Sequence, residues 1–216
     1  MFMPHILYED KNLLFCIKEA GLLSEAGEGS IVELLEAHTL SQVFAVHRLD
    51  RGVGGLMVYA KNAKTAAELS AQIQNGSFVK EYLAVVKGAF EEKEGAMDDL
   101  LFHDKRANKS YTVTKQRSGV KRALLDYSIK GEAETEKGVL SLAHIKLHTG
   151  RTHQIRVQFS SRKHPLYGDG KYGGRTEKEG IALWSHRISI MLPFSDKPIT
   201  ISALPPKEKP WSFFEI

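Results

Sequence analysis

The stretch that most constrains how this chain can fold is His47 to Lys61, HRLDRGVGGLMVYAK. An apolar run, Val43-Phe44-Ala45-Val46, leads into it, and a second, Leu56 to Ala60, leads out. Between them lie Arg48, Asp50 and Arg51, then Gly52, Gly54 and Gly55. Two short apolar runs around a polar, glycine-containing loop predict two buried strands that hold the loop on a rigid scaffold. A lone aspartate beside an arginine is ordinarily a surface ion pair in a turn. Here a second basic, glycine-punctuated cluster, LHTGRTHQIRVQFSSRKHPLYGDGKYGG at Leu147 to Gly174, gives the loop a counterpart.

The remaining elements follow from periodicity and caps. Ile6-Leu7-Tyr8 and Leu13 to Ile17, split by Glu9-Asp10-Lys11-Asn12, predict a β-hairpin. Ser30-Ile31-Val32-Glu33 is a capping-box pattern opening a short helix to about His38. Asn62 caps a second helix over Ala63–Gln74, which Asn75-Gly76 ends. Phe78 to Gly88, FVKEYLAVVKG, reads as a strand, followed by an acidic loop from Glu91 to Asp99. Val139 to Leu147 reads as another strand, after a polar turn over Gly131–Gly138. Thr152 is placed to cap a helix from His153 to about Ser160, with Ile155 and Phe159 one turn apart on its core face. Ala182 to Ile201 reads as a hairpin turned at Ser195-Asp196. Alternating strands with few, short helices give an α+β class around a largely antiparallel sheet. The 216 residues suit one domain, 1–216, or two small lobes sharing a cleft.

Composition narrows the partners. With 42% hydrophobic and 26% charged residues, this is a soluble globular chain. The net charge of +4 agrees with a polyanionic partner. Lys105, Arg106, Lys109, Lys115, Arg117, Lys121 and Arg122 fall in a stretch without any acid, with Tyr111 among them. Cations interleaved with an aromatic suit a nucleic-acid backbone. Arg162-Lys163 is a second candidate contact. The single cysteine, Cys16, excludes an internal disulfide, fits a reducing compartment and reads as a core residue. No run is long enough to span a membrane, and MFMPHILYEDK lacks a signal peptide's character, so the expected location is the cytoplasm.

Motifs exclude several chemistries. There is no P-loop, no GxGxxG after a strand and no CxxC. His144, His148, His153, His164 and His186 form no HExxH pair and carry no metal-ligand spacing, so no metal site is expected. A serine hydrolase would need a GxSxG elbow, which is missing. An aspartate among arginines, a tyrosine on a strand and a basic surface remain. That set suits electrostatic and covalent chemistry on an anionic polymer.

HRLDRGVGGLMVYAK closely resembles the signature of the RluA-type pseudouridine synthases, H-R-L-D-x-x-T-S-G-L-L-x-x-A-K. KEYLAVVKG is similar to that family's K-x-Y-x-A-x-V-x-G strand, and ILYEDKNLLFCIKEAG to its opening strand pair. TGRTHQIRVQF…HPLYGDGKYG is similar to its T-G-R-T-H-Q-I-R-V-H…H-P-I-x-G-D-x-x-Y-G. The resemblance implies a bent central sheet with flanking helices and an active-site cleft. It also implies isomerisation of specific uridines in rRNA or tRNA to pseudouridine. No cofactor is expected, because nothing is oxidised and no group is lost. Asp50 matches the catalytic aspartate, Tyr82 the tyrosine that stacks on the target uracil, and Arg151 the arginine that pairs with that aspartate. Arg48 matches the arginine that fills the gap left by the flipped base. The implied partner is RNA, rRNA or tRNA, with no membrane, and the expected state is a monomer.

The chain also departs from the pattern. Thr-Ser becomes Val53-Gly54, which with Gly52 suggests a more permissive loop. K-P-x-G becomes Lys18-Glu19-Ala20-Gly21, the histidine after R-V becomes Gln158, and A-x-T becomes Ala123-Leu124-Leu125. An S4-like RNA-binding domain ahead of the motifs is not expected, and target choice is expected to lie within this domain. The alternative is a catalytically idle RNA-binding or RNA-folding protein on the same scaffold, with the altered loop at 52–54 as its support.

Overall fold

Leu13 to Cys16 are all fully buried, a continuous apolar run of the kind a strand covered on both faces requires. The structure, a computed structural model, describes residues 4–173 and 177–216. Met1 to Met3 and Gly174, the last residue of the second cluster, lie outside the described residues. The chain divides into two compact units, Met1–Glu81 with Trp184–Pro205, and Tyr82–Leu183 with Pro206–Ile216.

In the first unit, β1 (His5–Glu9) and β2 (Leu13–Lys18) form the expected hairpin. β2 pairs antiparallel with β4 (Gly54–Ala60), every residue of which is buried. β3 is only Phe44–Ala45, antiparallel to the far end of β4, and Ala45 is exposed. The apolar run at 43–46 is thus a short edge piece and not the buried strand expected. β10 (Leu183–Met191) joins β4 in parallel through Trp184 and Ser185, and β11 (Pro198–Ser202) pairs antiparallel with β10. α1 (Ile31–Thr39) starts where Ser30 accepts the Glu33 N–H, while Glu33 reaches back to Gly29 N–H. α2 (Ala63–Asn75) is capped by Asn62 and stopped by Gly76 at φ 82°. Leu13, Phe15, Val58, Leu69, Phe78 and Ile190 meet in its core. Burying one such side chain is worth about 1.5–3 kcal/mol.

In the second unit the strand order is β5–β9–β8–β6–β7. β5 is Val79–Lys87, whose residues from Tyr82 onward belong here. β6 (Glu94–Asp104) pairs antiparallel with β7 (Lys109–Val113) and with β8 (Val120–Thr135), which pairs antiparallel with β9 (Gly138–Leu147). Two expectations are corrected here. The acidic stretch becomes strand from Glu94, because Asp98 and Asp99 find cationic partners in Arg122 and Arg162. Gly131 lies within β8, at a register shift between Ile129 and Gly131, and the turn is confined to residues 136–137.

α3 is Gln154–Ser161, and Thr152 does not cap it. His153 occupies that place at φ 56°, its Nδ1 2.9 Å from the Tyr172 hydroxyl, which also accepts the Ser110 N–H at 2.6 Å. Ile155 and Phe159 face inward as expected, and Arg156 and Gln158 are buried too. Cys16 is a core residue, and burial pushes its thiol up to about 12.

Candidate active site

Asp50 opens a turn closed by a 2.9 Å hydrogen bond from Val53 N–H to the Asp50 carbonyl. The residues on either side of it are clamped by segment 18–24. Leu49 exchanges two bonds with the buried Ser24 hydroxyl, which donates to its carbonyl at 2.9 Å and accepts its N–H at 3.0 Å. Arg51 exchanges two with Gly21, whose N–H donates to the Arg51 carbonyl at 2.7 Å and whose carbonyl accepts Arg51 Nε at 2.8 Å. Lys18 Nζ adds a second bond to the Arg51 carbonyl, at 3.3 Å, and donates to the Glu19 and Leu22 carbonyls at 2.9 and 3.0 Å. Asp50 itself is half-buried.

His47 anchors the loop on its other side. Its Nε2 accepts the Val58 N–H of β4 at 3.2 Å. Burial, helped by the charge of Lys80, lowers its pKa to about 3, so the ring is neutral and able to accept. The chain thus enters the Asp50 turn through an imidazole fixed to the neighbouring strand.

The Val53-Gly54 departure makes the loop tighter, contrary to the expectation of permissiveness. Val53 is 1% exposed. Gly54 lies in β4 under the Trp184 ring, and a Cβ there would sit 2.7 Å from Trp184 Cζ3. Gly55, at φ +121°, passes the Ser185 backbone so closely that a Cβ would lie 2.5 Å from its N and O atoms. Trp184 is held by its Nε1–H donating to the Ala203 carbonyl at 3.0 Å. Restoring the hydroxyl as Gly54→Ser is therefore expected to destabilise the protein by about 1–3 kcal/mol through overpacking. Urea denaturation should show that loss, and a further Trp184→Leu change should reverse much of it.

The other three sequence-derived residues are distributed between the units. Arg48 stands exposed in the first unit and pairs with Glu25 at 2.9 Å. Tyr82 is on β5, 5% exposed, and begins the second unit. Arg151 is in the second unit, just before α3, with its Nε donating to the Arg122 carbonyl at 2.9 Å. Gln154 fixes its backbone, since Oε1 accepts the Arg151 N–H at 3.0 Å and the Thr149 hydroxyl at 2.8 Å. Gln154 Nε2 in turn donates to the Leu124 carbonyl on β8 at 3.1 Å.

The basic stretch forms β7, the β6–β7 turn and the start of β8. Several of its cations are already engaged. Arg122 pairs with Asp98, Arg117 lies over Phe102, and Lys109 Nζ lies 5.7 Å from the Tyr111 ring centre and 5.3 Å from that of Tyr172. Arg162, the second candidate contact, makes an ion pair with Asp99 at 2.8 Å. Among the described residues no three His, Cys, Asp or Glu side chains are grouped to hold a metal ion, and no helix is long and apolar enough to cross a membrane.

Lys18 and Gln154 fall inside the quoted motifs, but their contacts to the Asp50 turn and to Arg151 were not read from the sequence. The signal for Lys18 was its parity, because period two puts it on the same face of β2 as Leu14 and Cys16. Gln154 carries no comparable signal, since a glutamine at the start of a helix reads as solvent-facing.

The model of the family described as RNA pseudouridylate synthase matches residues 12–161, which include Asp50, Tyr82 and Arg151. Ribosomal large subunit pseudouridine synthase D of Borreliella burgdorferi is 33% identical over 202 residues, covering 86% of this chain and 60% of that protein. The chain thus spans 60% of that relative's length. tRNA pseudouridine synthase C of Haemophilus ducreyi is 31% identical over 225 residues, covering 92% of this chain and 90% of the relative. Human RNA pseudouridylate synthase domain containing 1 shares the fold, with a TM-score of 0.80 at 21% identity over 94% of this chain and 84% of that one. With its signature motifs, the match across residues 12–161 and these relatives taken together, the chain belongs to the RluA-type RNA pseudouridine synthase family.

Proposed function

We propose that this protein isomerises specific uridines in rRNA or tRNA to pseudouridine, with Asp50 as the catalytic group. The observation that carries this reading is the Asp50 turn, whose flanking residues are fixed by backbone contacts to segment 18–24. Holding a reacting group in one geometry is where much of an enzyme's rate advantage originates. The reaction breaks the C1′–N1 bond, turns the uracil and rejoins it through C5, releasing the C5 proton to solvent. Asp50 acts on the ribose as its carboxylate, as nucleophile at C1′ or as base at the 2′ position.

A stacked uracil cannot turn, so the target nucleotide must leave its stack, at a cost of a few kcal/mol. Tyr82 offsets part of that cost by stacking, worth roughly 1–3 kcal/mol per base. Arg48 fills the gap in the RNA; its exposed pair with Glu25 is of a kind worth only about 0–1 kcal/mol, so an RNA can draw the guanidinium away. Arg151 acts as the cationic partner in the site, and the resemblance is its support. Lys105, Arg106, Lys115 and Lys121 on the β6–β8 strands and turns contact phosphates. The names of the Borreliella and Haemophilus relatives point to rRNA and tRNA as substrate classes.

The idle RNA-binding reading draws on the altered residues 52–54, and the packing of Val53 and Gly54 shows those changes accommodated by the fold. Tritium release from RNA carrying 5-tritiated uridine tests the proposal, because only isomerisation frees the C5 hydrogen. Pseudouridine mapping of total RNA with and without the protein identifies the target. No release from any cellular RNA by folded protein would end this reading. Tyr82→Phe keeps the stacking face and is expected to retain measurable release, whereas Tyr82→Leu loses far more. Equal inactivity of the two folded variants would give the hydroxyl a chemical role.

A further inference from the structure

We infer that the open face of β6, β7 and the start of β8 is a stacking platform for single-stranded RNA, with an unpaired base laid on Tyr111. This platform presupposes the RNA reading of the proposed function and gives the nucleotides beside the target a site of their own. Phe102 on β6 is the register partner of Tyr111 on β7 and of Val120 on β8, so the three side chains share one face. The opposite face is the covered one, because Leu101 and Ala123 form a core cluster with Val157 of α3 and with Tyr172. Tyr111, at the centre of the edge strand β7, keeps 43% of its surface exposed.

The chemistry of this face fits a polyanion that carries flat bases. Lys109 Nζ lies near the Tyr111 ring, and the Arg117 guanidinium lies 4.9 Å from the Phe102 ring centre. Aromatic rings and arginine planes are the surfaces on which unpaired bases stack. The turns at the two ends of β7 carry Lys105 and Arg106 on one side and Lys115 and Arg117 on the other. Phosphates before and after a base on Tyr111 thus meet cations at both ends of the strand. The acids of the face are already engaged. Asp98 pairs with Arg122, and Asp104 accepts the Arg106 and Ala107 N–H groups at 2.8 and 3.2 Å.

The platform adjoins a candidate site residue of the same unit. Arg151 Nε donates to the carbonyl of Arg122, which is two residues along β8 from Val120. Two strand spacings and two residues of rise separate Tyr111 from Arg122 by roughly 12 Å, the reach of a few nucleotides. An RNA that presents a uridine beside Arg151 can therefore lay a flanking nucleotide on Tyr111. A paired flank keeps its bases in the helix, so single-stranded flanks are the ones this face selects.

The test measures affinity for a single-stranded oligouridylate of about a dozen nucleotides, and for its duplex with oligoadenylate, across a range of salt. Tyr111→Ala should weaken single-strand binding by about tenfold, within the loss that one stacked base accounts for, and leave duplex binding unchanged. Its salt dependence should stay that of wild type, whereas Arg117→Gln should flatten the log–log slope by about 0.7, one phosphate contact. Tyr111→Phe keeps the plane and should bind as wild type does. Equal losses in Tyr111→Phe and Tyr111→Ala, or on single strand and duplex alike, overturn the stacking role. Should Tyr111→Ala not fold, ultraviolet crosslinking of wild type to 5-iodouridine-substituted oligouridylate decides. A crosslink to Tyr111 supports the platform, and crosslinks confined to Tyr82 overturn it. Wild-type affinity in folded Tyr111→Ala, beside tritium release by the wild-type enzyme, overturns the platform alone. If that variant changes only the sedimentation of the protein, the face is a contact between copies and the platform falls. Wild-type protein that binds no RNA and releases no tritium overturns the reading beneath it as well.

Discussion

Asp50→Asn is expected to yield a folded protein that binds RNA and releases no measurable tritium from 5-tritiated uridine. Asparagine matches aspartate in size and keeps hydrogen-bonding capacity, but it supplies no carboxylate as nucleophile or base. Loss of a general base alone costs a factor on the order of 10²–10⁴, and loss of a nucleophile costs more. The turn should survive the change, because segment 18–24 grips the main chain of Leu49 and Arg51. RNA affinity should change little, since removing a negative charge near phosphates takes away no favourable contact to RNA. Tritium release beside filter binding, with circular dichroism on both proteins, makes the comparison. Substantial turnover by folded Asp50→Asn would refute the mechanism however well the surrounding motif matches.

The largest effect on stability is expected at Asp169. Its carboxylate is completely buried and accepts Arg156 Nε at 2.7 Å and Nη2 at 2.9 Å. Arg156 is itself buried on α3, and its guanidinium lies 5.1 Å from the Tyr172 ring centre. Tyr172 in turn carries the hydrogen bonds from Ser110 and His153 that set the start of α3, directly after Arg151. Asp169→Ala strips the guanidinium of its bidentate partner, and breaking a buried pair from one side costs about 3–5 kcal/mol. Urea denaturation should show that loss. Asp169→Leu combined with Arg156→Met should be clearly more stable than Asp169→Ala, because no buried charge then remains. A single variant within about 0.5 kcal/mol of wild type, the range of an ordinary surface change, would show that the pair is not structural.

How far sequence could reach depended on where each residue's partner lies. Ser30 and Asn62 mark helix starts through bonds made within three residues, Gly76 marks an end through its own left-handed backbone, and all three were legible. β6 was not, because Asp98 and Asp99 look like loop residues until Arg122 arrives from β8 and Arg162 from the end of α3. The start of α3 was misplaced by one residue, since Ser110 and Tyr172, distant in sequence, fix His153 and Thr152. Phe44–Ala45 looked like a buried strand because composition cannot tell an edge from a centre. At the site, Asp50, Arg48, Tyr82 and Arg151 were found through motif and resemblance. Lys18 was legible as the lysine of the K-P-x-G match, but its inward contacts were not, because a charged residue closing an apolar strand reads as its solvent end. Only the carbonyls of Leu22 and Arg51 show that it points inward.

The parallel bridge between β4 and β10 has a consequence for how the protein is made. Gly54 and Gly55, the residues that leave the Asp50 turn, meet Trp184 and Ser185, near the far end of the chain. A polypeptide emerging from the ribosome therefore has the whole HRLD stretch outside the exit tunnel long before the strand that covers it has been translated. Domains usually fold in the order of synthesis, at about 5–20 residues per second. Here the first unit waits for its last two strands, and the contiguous stretch Tyr82–Leu183 of the second is free to fold ahead of it. The Asp50 turn thus gains its packing against Trp184 and Ser185 late in synthesis, and a chain released before residue 184 lacks that cover.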